Sequence, residues 1–316
     1  VRVVSLMRLG EEEERLKTQF PDVNFEFYKH PSFLPGESKA KMDVLLSYHA
    51  DVNEAFLEGA QNLKWIMWYA TGVNALPLKQ LKSKDILLTN AKGVHAQQLT
   101  EFMFAFILDD YKALKEAYEE QKNKTYNHKR MTPTLKNQTI LFLGTGVIPQ
   151  KAANIAQQFG MRTIGLNTSG HEANGFDETY AIHEKMGCYK KADIIVNVLP
   201  ETEKTKYLLT ARDFEEMQSH TLFINLGRGS IVKEDVLVHA LKKDLIRKAY
   251  LDVFEEEPLP SHSELYDLNN VILTSHITGN SDNNKKQATN IFMRNLTHFL
   301  NKGELIENIV DLNKGY

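Results

Sequence analysis

Ten short apolar runs, rich in Val, Ile and Leu, recur along the chain at 1–6, 44–47, 63–68, 86–89, 139–143, 162–166, 194–198, 221–225, 248–252 and 271–273. Most are nearly unbroken by polar residues. A strand with one wet face alternates apolar and polar side chains, whereas a strand covered on both faces does not. The runs therefore predict short parallel strands buried on both sides. Helix-length stretches lie between them, among them 94–117, 151–159 and 233–242. This alternation predicts an α/β fold with doubly wound parallel sheets. With 316 residues the chain can build about two domains, each with its own core. The acidic run from Glu11 to Glu14 suits the first turn of a helix, where negative charge meets the positive end of the dipole.

Charge narrows the partners. A net charge of -3 and a pI near 6.4 argue against a nucleic-acid surface or a polybasic membrane anchor. The opening apolar run is too short for a signal peptide, and no window approaches the roughly 20 apolar residues of a membrane span. A soluble, cytoplasmic protein with no membrane or nucleic-acid partner is expected. The single cysteine, Cys188, rules out an intrachain disulfide and has no activating neighbour in nucleophile spacing. The histidines are scattered without ligand spacing, so no metal site is expected. The charged segment 112–136 is expected to be a solvated helix end followed by a surface crossing between domains.

One turn carries a more specific signal. The run 139–143 leads into Gly144-Thr145-Gly146-Val147-Ile148-Pro149. The first glycine permits a sharp turn, and the second lets a pyrophosphate approach the backbone. The helix that follows then offers unpaired N–H groups and a partial positive charge. A third glycine, usual in this motif, is replaced by Pro149. Proline fits the first turn of a helix, but it removes one donor and hinders close helix–strand approach. By itself the turn also fits a structural strand–turn–helix without ligand. The acid that would hold the ribose hydroxyls of NAD belongs about 20 residues on, at the end of the next strand. Asn167 stands there, followed by Thr168, Ser169 and His171. With no carboxylate to repel a 2′-phosphate and several donors to meet one, NADP is slightly favoured over NAD. No arginine follows to clamp that phosphate.

Several long motifs then occur in order: Asn225-Leu226-Gly227-Arg228-Gly229, Leu251-Asp252 continuing to Glu257-Pro258, and Thr274-Ser275-His276-Ile277-Thr278-Gly279. Leu199-Pro200 and the carboxyl-terminal stretch 308–316 add to them. From about residue 63 onward the chain strongly resembles the D-isomer-specific 2-hydroxyacid dehydrogenases, and within them looks most like the glyoxylate/hydroxypyruvate reductase group. The resemblance implies two Rossmann-like domains. A cofactor domain, 95–280, is inserted in a split substrate domain, 1–94 plus 281–316, with hinges in the helices near 94 and 283–300. It implies a cleft that closes over the substrate, and a homodimer formed through the cofactor domain. A chain of this length leaves no room for the regulatory domain of the long phosphoglycerate dehydrogenases.

The resemblance also implies roles, which the chemistry supports. Reducing a 2-oxo acid needs a cation for the carboxylate, a proton donor for the carbonyl oxygen, and a hydride source. Arg228 would grip the carboxylate with its planar fork of donors. His276 would give its proton to the forming hydroxyl. Glu257 would hold the far ring nitrogen and favour the protonated ring. NADPH or NADH supplies the hydride. Asp252 occupies the position that meets the nicotinamide carboxamide. Val147 and Ile148 would offer backbone to the pyrophosphate, Leu226 and Gly227 would line the nicotinamide, and Leu199 and Pro200 would form an apolar wall. In the first domain, the backbone of Thr71, Gly72 and Val73 would receive the substrate carboxylate. Tyr48, Trp68 and Tyr69 are candidates for the pocket wall.

Taken singly, Arg228 also fits a surface ion pair, Glu257 a solvated acidic loop and His276 a structural ring. A second class of function is a cofactor-gated regulator that binds a protein partner on the same fold. The complete Arg–Glu–His set favours the enzyme, whereas Pro149 in the glycine turn favours a weakened cofactor site. Formate dehydrogenase shares the fold, but no feature of the sequence points to it.

Overall fold

The computed structural model describes residues 1–314; Gly315 and Tyr316, the end of the carboxyl-terminal match, lie outside the described residues. Among these the strands are β1 (Arg2–Ser5), β2 (Asn24–Phe27), β3 (Val44–Ser47), β4 (Trp65–Trp68), β5 (Leu87–Asn90), β6 (Thr139–Leu143), β7 (Arg162–Asn167), β8 (Glu178–Ala181), β9 (Ile194–Asn197), β10 (Leu222–Asn225), β11 (Lys248–Leu251) and β12 (Val271–Leu273). The chain divides into two units, Val1–Val94 with the stretch from Ser281 onward, and His95–Asn280.

In the first unit five strands lie in the order β2-β1-β3-β4-β5, every pair parallel. Val4, Leu45, Ile66 and Leu88 face one core. Val3, Val44, Leu46, Trp65 and Met67 face the other. That two-sided burial is why the runs read as continuous. On the second face, Trp65 stacks on Phe292 of the helix Asn284–Lys302, with ring centroids 5.1 Å apart. The β5 edge is covered by the tail, through a bridge from Thr89 to Ile309 and a bond from Val310 N to Leu88 O. An edge so covered offers no open ladder to other chains.

In the second unit seven strands lie in the order β12-β11-β10-β9-β6-β7-β8, again all parallel. Leu141, Ile164, Ile195, Phe223 and Ala249 face one core. Ile140, Phe142, Ile194, Val196, Leu222 and Tyr250 face the other. The chain runs outward from β6 to β8, then returns to the centre at β9 and runs the other way. This reversal leaves a crevice beyond the carboxyl ends of β6 and β9, where open α/β sheets bind ligands.

The structure departs from the sequence expectation at the edges and in one helix. Strands β2 and β8 were not expected. Both are edge strands whose residues are mostly half-exposed and mix polar with apolar side chains, so no apolar run marks them. The helix expected over 94–117 runs from Ala96 to Tyr111 and stops. Ala113 is left-handed, with φ 52°, and a second helix follows from Leu114 to Lys122. The first helix buries Met103, Phe104, Phe106, Ile107 and Tyr111 against the sheet, while the second buries none of its residues. Without an apolar stripe to bury, nothing draws the second helix along the sheet. The helix expected to start near 151 begins at Val147, directly off the glycine turn.

Candidate active site

Four strands, β5, β7, β9 and β10, end in asparagine, and each asparagine builds the turn that leaves its strand. Asn90 Oδ1 accepts from Lys92 N at 3.1 Å, Asn167 from Ser169 N at 3.2 Å, Asn197 from Leu199 N at 3.1 Å, and Asn225 from Gly227 N at 3.2 Å. This is the Asx turn, in which a side-chain carbonyl replaces a backbone acceptor two residues upstream of the donor. An Asn at or near the end of each apolar run is visible in the sequence, but of the four only Asn167 is assigned a task there.

The glycine turn fits a dinucleotide. Gly144 has φ +107°, and a Cβ there would lie 3.4 Å from Leu199 Cδ2. A Cβ on Gly146 would meet nothing within 4 Å, so the space beside the turn is open. Gly146 caps the helix Val147–Gln158. The N–H groups of Val147 and Ile148 have no acceptor inside the helix, and Pro149, in its first turn, carries none. Pro149 is buried, and so are Ala152, Ala153 and Ala156 on the same helix. Three alanines allow the helix to lie close to the sheet, the task for which the motif ordinarily uses its third glycine.

Asn167 is buried, and its side chain is committed within the turn. Its Nδ2 donates to Thr145 Oγ1 and His171 O, and its Oδ1 also accepts from Gly170 N at 2.7 Å. Asn167 therefore shapes the loop, and Thr168, Ser169 and His171 are the exposed groups on it. Leu199 is half-buried and Pro200 exposed beyond β9.

Arg228 leaves β10 through a turn that admits no side chains. A Cβ on Gly227 would stand 2.8 Å from Asn197 Nδ2, and one on Gly229 would stand 1.9 Å from the Phe254 carbonyl carbon. Leu226 is buried beneath this turn. The guanidinium is half-buried, and Nη1 donates to Gly227 O at 2.8 Å. Among the described residues no carboxylate pairs with it. A cation withdrawn from water without a counter-charge is costly, so this arginine is suited to an anion that arrives from outside.

His276 Nδ1 lies 2.7 Å from Glu257 Oε2. Glu257 is itself held, since its Oε1 accepts from Phe254 N at 2.9 Å. With Nδ1 turned to the carboxylate, Nε2 is the nitrogen left for a reacting group, and half of the His276 side chain is exposed. The His276 backbone is left-handed, with φ 52°. Such a conformation persists where its surroundings impose it. Here the buried Asp252 imposes it: Oδ1 accepts from Thr274 Oγ1 at 2.6 Å and Ile277 N at 2.9 Å, and Oδ2 accepts from both N and Oγ1 of Thr278. The His276 N–H donates to Asp252 O at 2.8 Å. Four donors fill the acceptor capacity of a carboxylate. The residue that the resemblance assigns to the nicotinamide carboxamide is thus occupied in building the histidine loop. Neither Thr274 nor Thr278 was singled out in the sequence.

In the first unit, the loop after β4 holds its carbonyls inward. Asn90 Nδ2 donates to Thr71 O at 2.8 Å, and Trp68 Nε1 donates to Gly72 O at 2.9 Å. The N–H groups of Thr71, Gly72 and Val73 make no hydrogen bond among the described residues, leaving three successive donors of the kind that form anion nests. Of the three aromatic wall candidates, Trp68 lies in the core, and Tyr69 bonds Thr289 through its hydroxyl, with burial pushing its phenol pKa up. Tyr48 alone is exposed, stacked on His49 at 4.4 Å. Burial pushes the Cys188 thiol up, as suits an inert structural cysteine. Among the described residues no three His, Cys, Asp or Glu side chains are grouped to hold a metal, and no helix is long and apolar enough to cross a membrane.

Comparison with known proteins gives a consistent result. The family described as D-isomer specific 2-hydroxyacid dehydrogenase, NAD binding domain, matches residues 104–278. The glyoxylate reductase of Thermococcus litoralis is 31% identical over 301 residues, covering 90% of this chain and 90% of that protein. The glyoxylate/hydroxypyruvate reductase B of Citrobacter koseri is 29% identical over 274 residues, covering 84% of this chain and 82% of that one. Among solved structures, a D-isomer specific 2-hydroxyacid dehydrogenase family protein from Aeromonas salmonicida superposes with a TM-score of 0.88 at 30% identity, covering 98% of this chain and 99% of the other.

Proposed function

The chain belongs to the D-isomer specific 2-hydroxyacid dehydrogenase family, and from that premise we propose that it reduces a small 2-oxo acid of the glyoxylate or hydroxypyruvate class to the corresponding 2-hydroxy acid, the D isomer where C2 is chiral. It is an NAD(P)-linked 2-hydroxyacid oxidoreductase. We assign the cofactor to the unit His95–Asn280, at Gly144, Gly146, Val147 and Ile148, with Leu199, Pro200, Leu226 and Gly227 beside it. The open space at Gly146 and the two unpaired helix donors fit a pyrophosphate. The exposed Thr168 and Ser169, preceded by Asn167 rather than an acid, favour NADPH over NADH.

The observation that carries the reading is the half-buried Arg228, which among the described residues has no acidic partner. Its guanidinium binds the substrate carboxylate. A reduced nicotinamide cofactor held at Gly144, Gly146, Val147 and Ile148 would supply the hydride. His276 Nε2 gives its proton to the carbonyl oxygen, which becomes the hydroxyl, and Glu257 holds the ring in place throughout. In the first unit, the N–H groups of Thr71, Gly72 and Val73 offer three successive donors suited to a carboxylate. Asp252 acts on the reaction through the His276 loop.

Purified protein given NADPH or NADH with glyoxylate, hydroxypyruvate, pyruvate and bulkier 2-oxo acids tests this. Turnover of glyoxylate and hydroxypyruvate, faster with NADPH, is expected. Cofactor binding without turnover of any acid would favour a cofactor-gated regulator instead.

We further assign the protein to the cytoplasm and to a homodimer. The helix Leu114–Lys122 buries none of its own residues, and Leu114, Tyr118, Tyr126 and Met131 on it and beyond it are exposed. An apolar set of this kind suits a surface that a second copy covers. Light scattering should read two chains per particle; a one-chain mass at working concentration contradicts this assignment.

A further inference from the structure

We propose that the buried amide pair Asn197–Asn225 is a positioning device for Arg228, one that also ties the arginine to the apolar wall at Leu199. Both asparagines are almost wholly withdrawn from solvent, at 0% and 1% exposure. They stand opposite each other at the carboxyl ends of β9 and β10. Asn197 Nδ2 donates to Asn225 Oδ1 at 2.8 Å, and Asn225 Nδ2 donates to the backbone carbonyl of Arg228 at 3.1 Å. At one end of this relay Asn197 Oδ1 holds Leu199 N, and at the other Asn225 Oδ1 holds Gly227 N. The relay therefore runs from the wall residue, through two side chains, to the backbone on which the guanidinium is mounted.

Strand pairing does not require it. The two strands are already joined in register by their backbones, and Leu226 N donates to Asn197 O at 3.0 Å. Two apolar side chains would fill the same place without the desolvation cost that buried amides carry. What the amides add is direction: beyond their mutual bond, Asn197 ends on Leu199 N and Asn225 on Gly227 N and Arg228 O, all in the turns that leave the two strands. Gly227 has the geometry this needs, because a Cβ there would run into Asn197 Nδ2 at 2.8 Å. The far side of the turn is fixed by Gly229 against Phe254. Arg228 is thus clamped on both flanks, while its side chain stays without an acidic partner.

The proposal rests on the reading of Arg228 as the carboxylate site, and the test separates the two. In Asn225→Ala, KM for glyoxylate and hydroxypyruvate should rise about tenfold or more, while kcat and the NADPH dissociation constant change by less than about threefold. Asn197→Ala should raise KM similarly and also weaken NADPH, because Leu199 is released. The double variant should be little worse than the worse single one, since both break one relay. Asn225→Ser serves if the alanine variant does not fold. A folded Asn225 variant with KM within about threefold of the parent, or losses that simply add, would overturn the relay. Arg228→Ala is the control. An unchanged KM there overturns the carboxylate reading itself, whereas a large rise there with normal Asn225 variants overturns the relay alone.

Discussion

Replacing His276 by alanine should lower kcat by about 10²–10⁴-fold, the range a positioned general acid supplies, while NADPH binding stays near normal. The reason lies in the ring's placement. His276 contributes a side chain, half exposed, to the reaction side of its loop, and the loop is held by backbone and threonine bonds to Asp252 that alanine leaves in place. The left-handed backbone at 276 is retained as well, at some cost for alanine in that conformation. A cofactor titration beside the kinetic assay checks both halves. Turnover within a few-fold of the parent would remove His276 from proton transfer. Glu257→Gln should fall between the parent and His276→Ala, because glutamine keeps a bond to the ring but lacks the carboxylate.

Arg228→Ala should lower kcat/KM by about 10²–10³-fold. Removing one partner of a desolvated charge pair costs about 2–5 kcal/mol, and each 1.4 kcal/mol is roughly a factor of ten. Arg228→Lys should recover part of the loss but not all of it, since an ammonium supplies charge without the planar two-point grip. The pattern matters as much as the size. A loss confined to KM would mean that the arginine only holds the carboxylate; a matching fall in kcat would mean that it also polarises the carbonyl in the transition state. Full activity in Arg228→Lys would show that a point charge suffices.

The interior of the fold was legible because it obeys one rule. Runs such as Ile194–Asn197 and Leu222–Asn225 are apolar on both faces, and only strands sandwiched by helices need that. At the edges the rule lapses. Asn24–Phe27 and Glu178–Ala181 each have one neighbouring strand and a partly wet surface, so their side chains are mixed and periodicity is silent. The break at Ala113 was hidden for a related reason. Helix propensity continues across it, and what ends there is burial, which no local window measures.

In the proposed site, the groups to which a direct chemical task is assigned stand out in the sequence by their motifs, while the residues that hold them do not. Arg228, Glu257 and His276 are long polar side chains whose tasks are set by charge. Asn197, Asn225, Thr274 and Thr278 act by single hydrogen bonds to backbone or to one carboxylate, and such bonds depend on three-dimensional register. Asp252 shows the same limit. Its motif position suggests a ligand contact, yet its four acceptor sites are filled by the protein itself. Asn167 likewise spends its amide on the loop.

Isotope transfer tests the central claim most directly. The protein is incubated with hydroxypyruvate and NADPH carrying deuterium at the transferable position of the nicotinamide, and the product is isolated. Deuterium at C2 of a D-2-hydroxy acid is expected, one atom for each cofactor oxidised. Cofactor that binds but is not oxidised, or product without deuterium at C2, would contradict it.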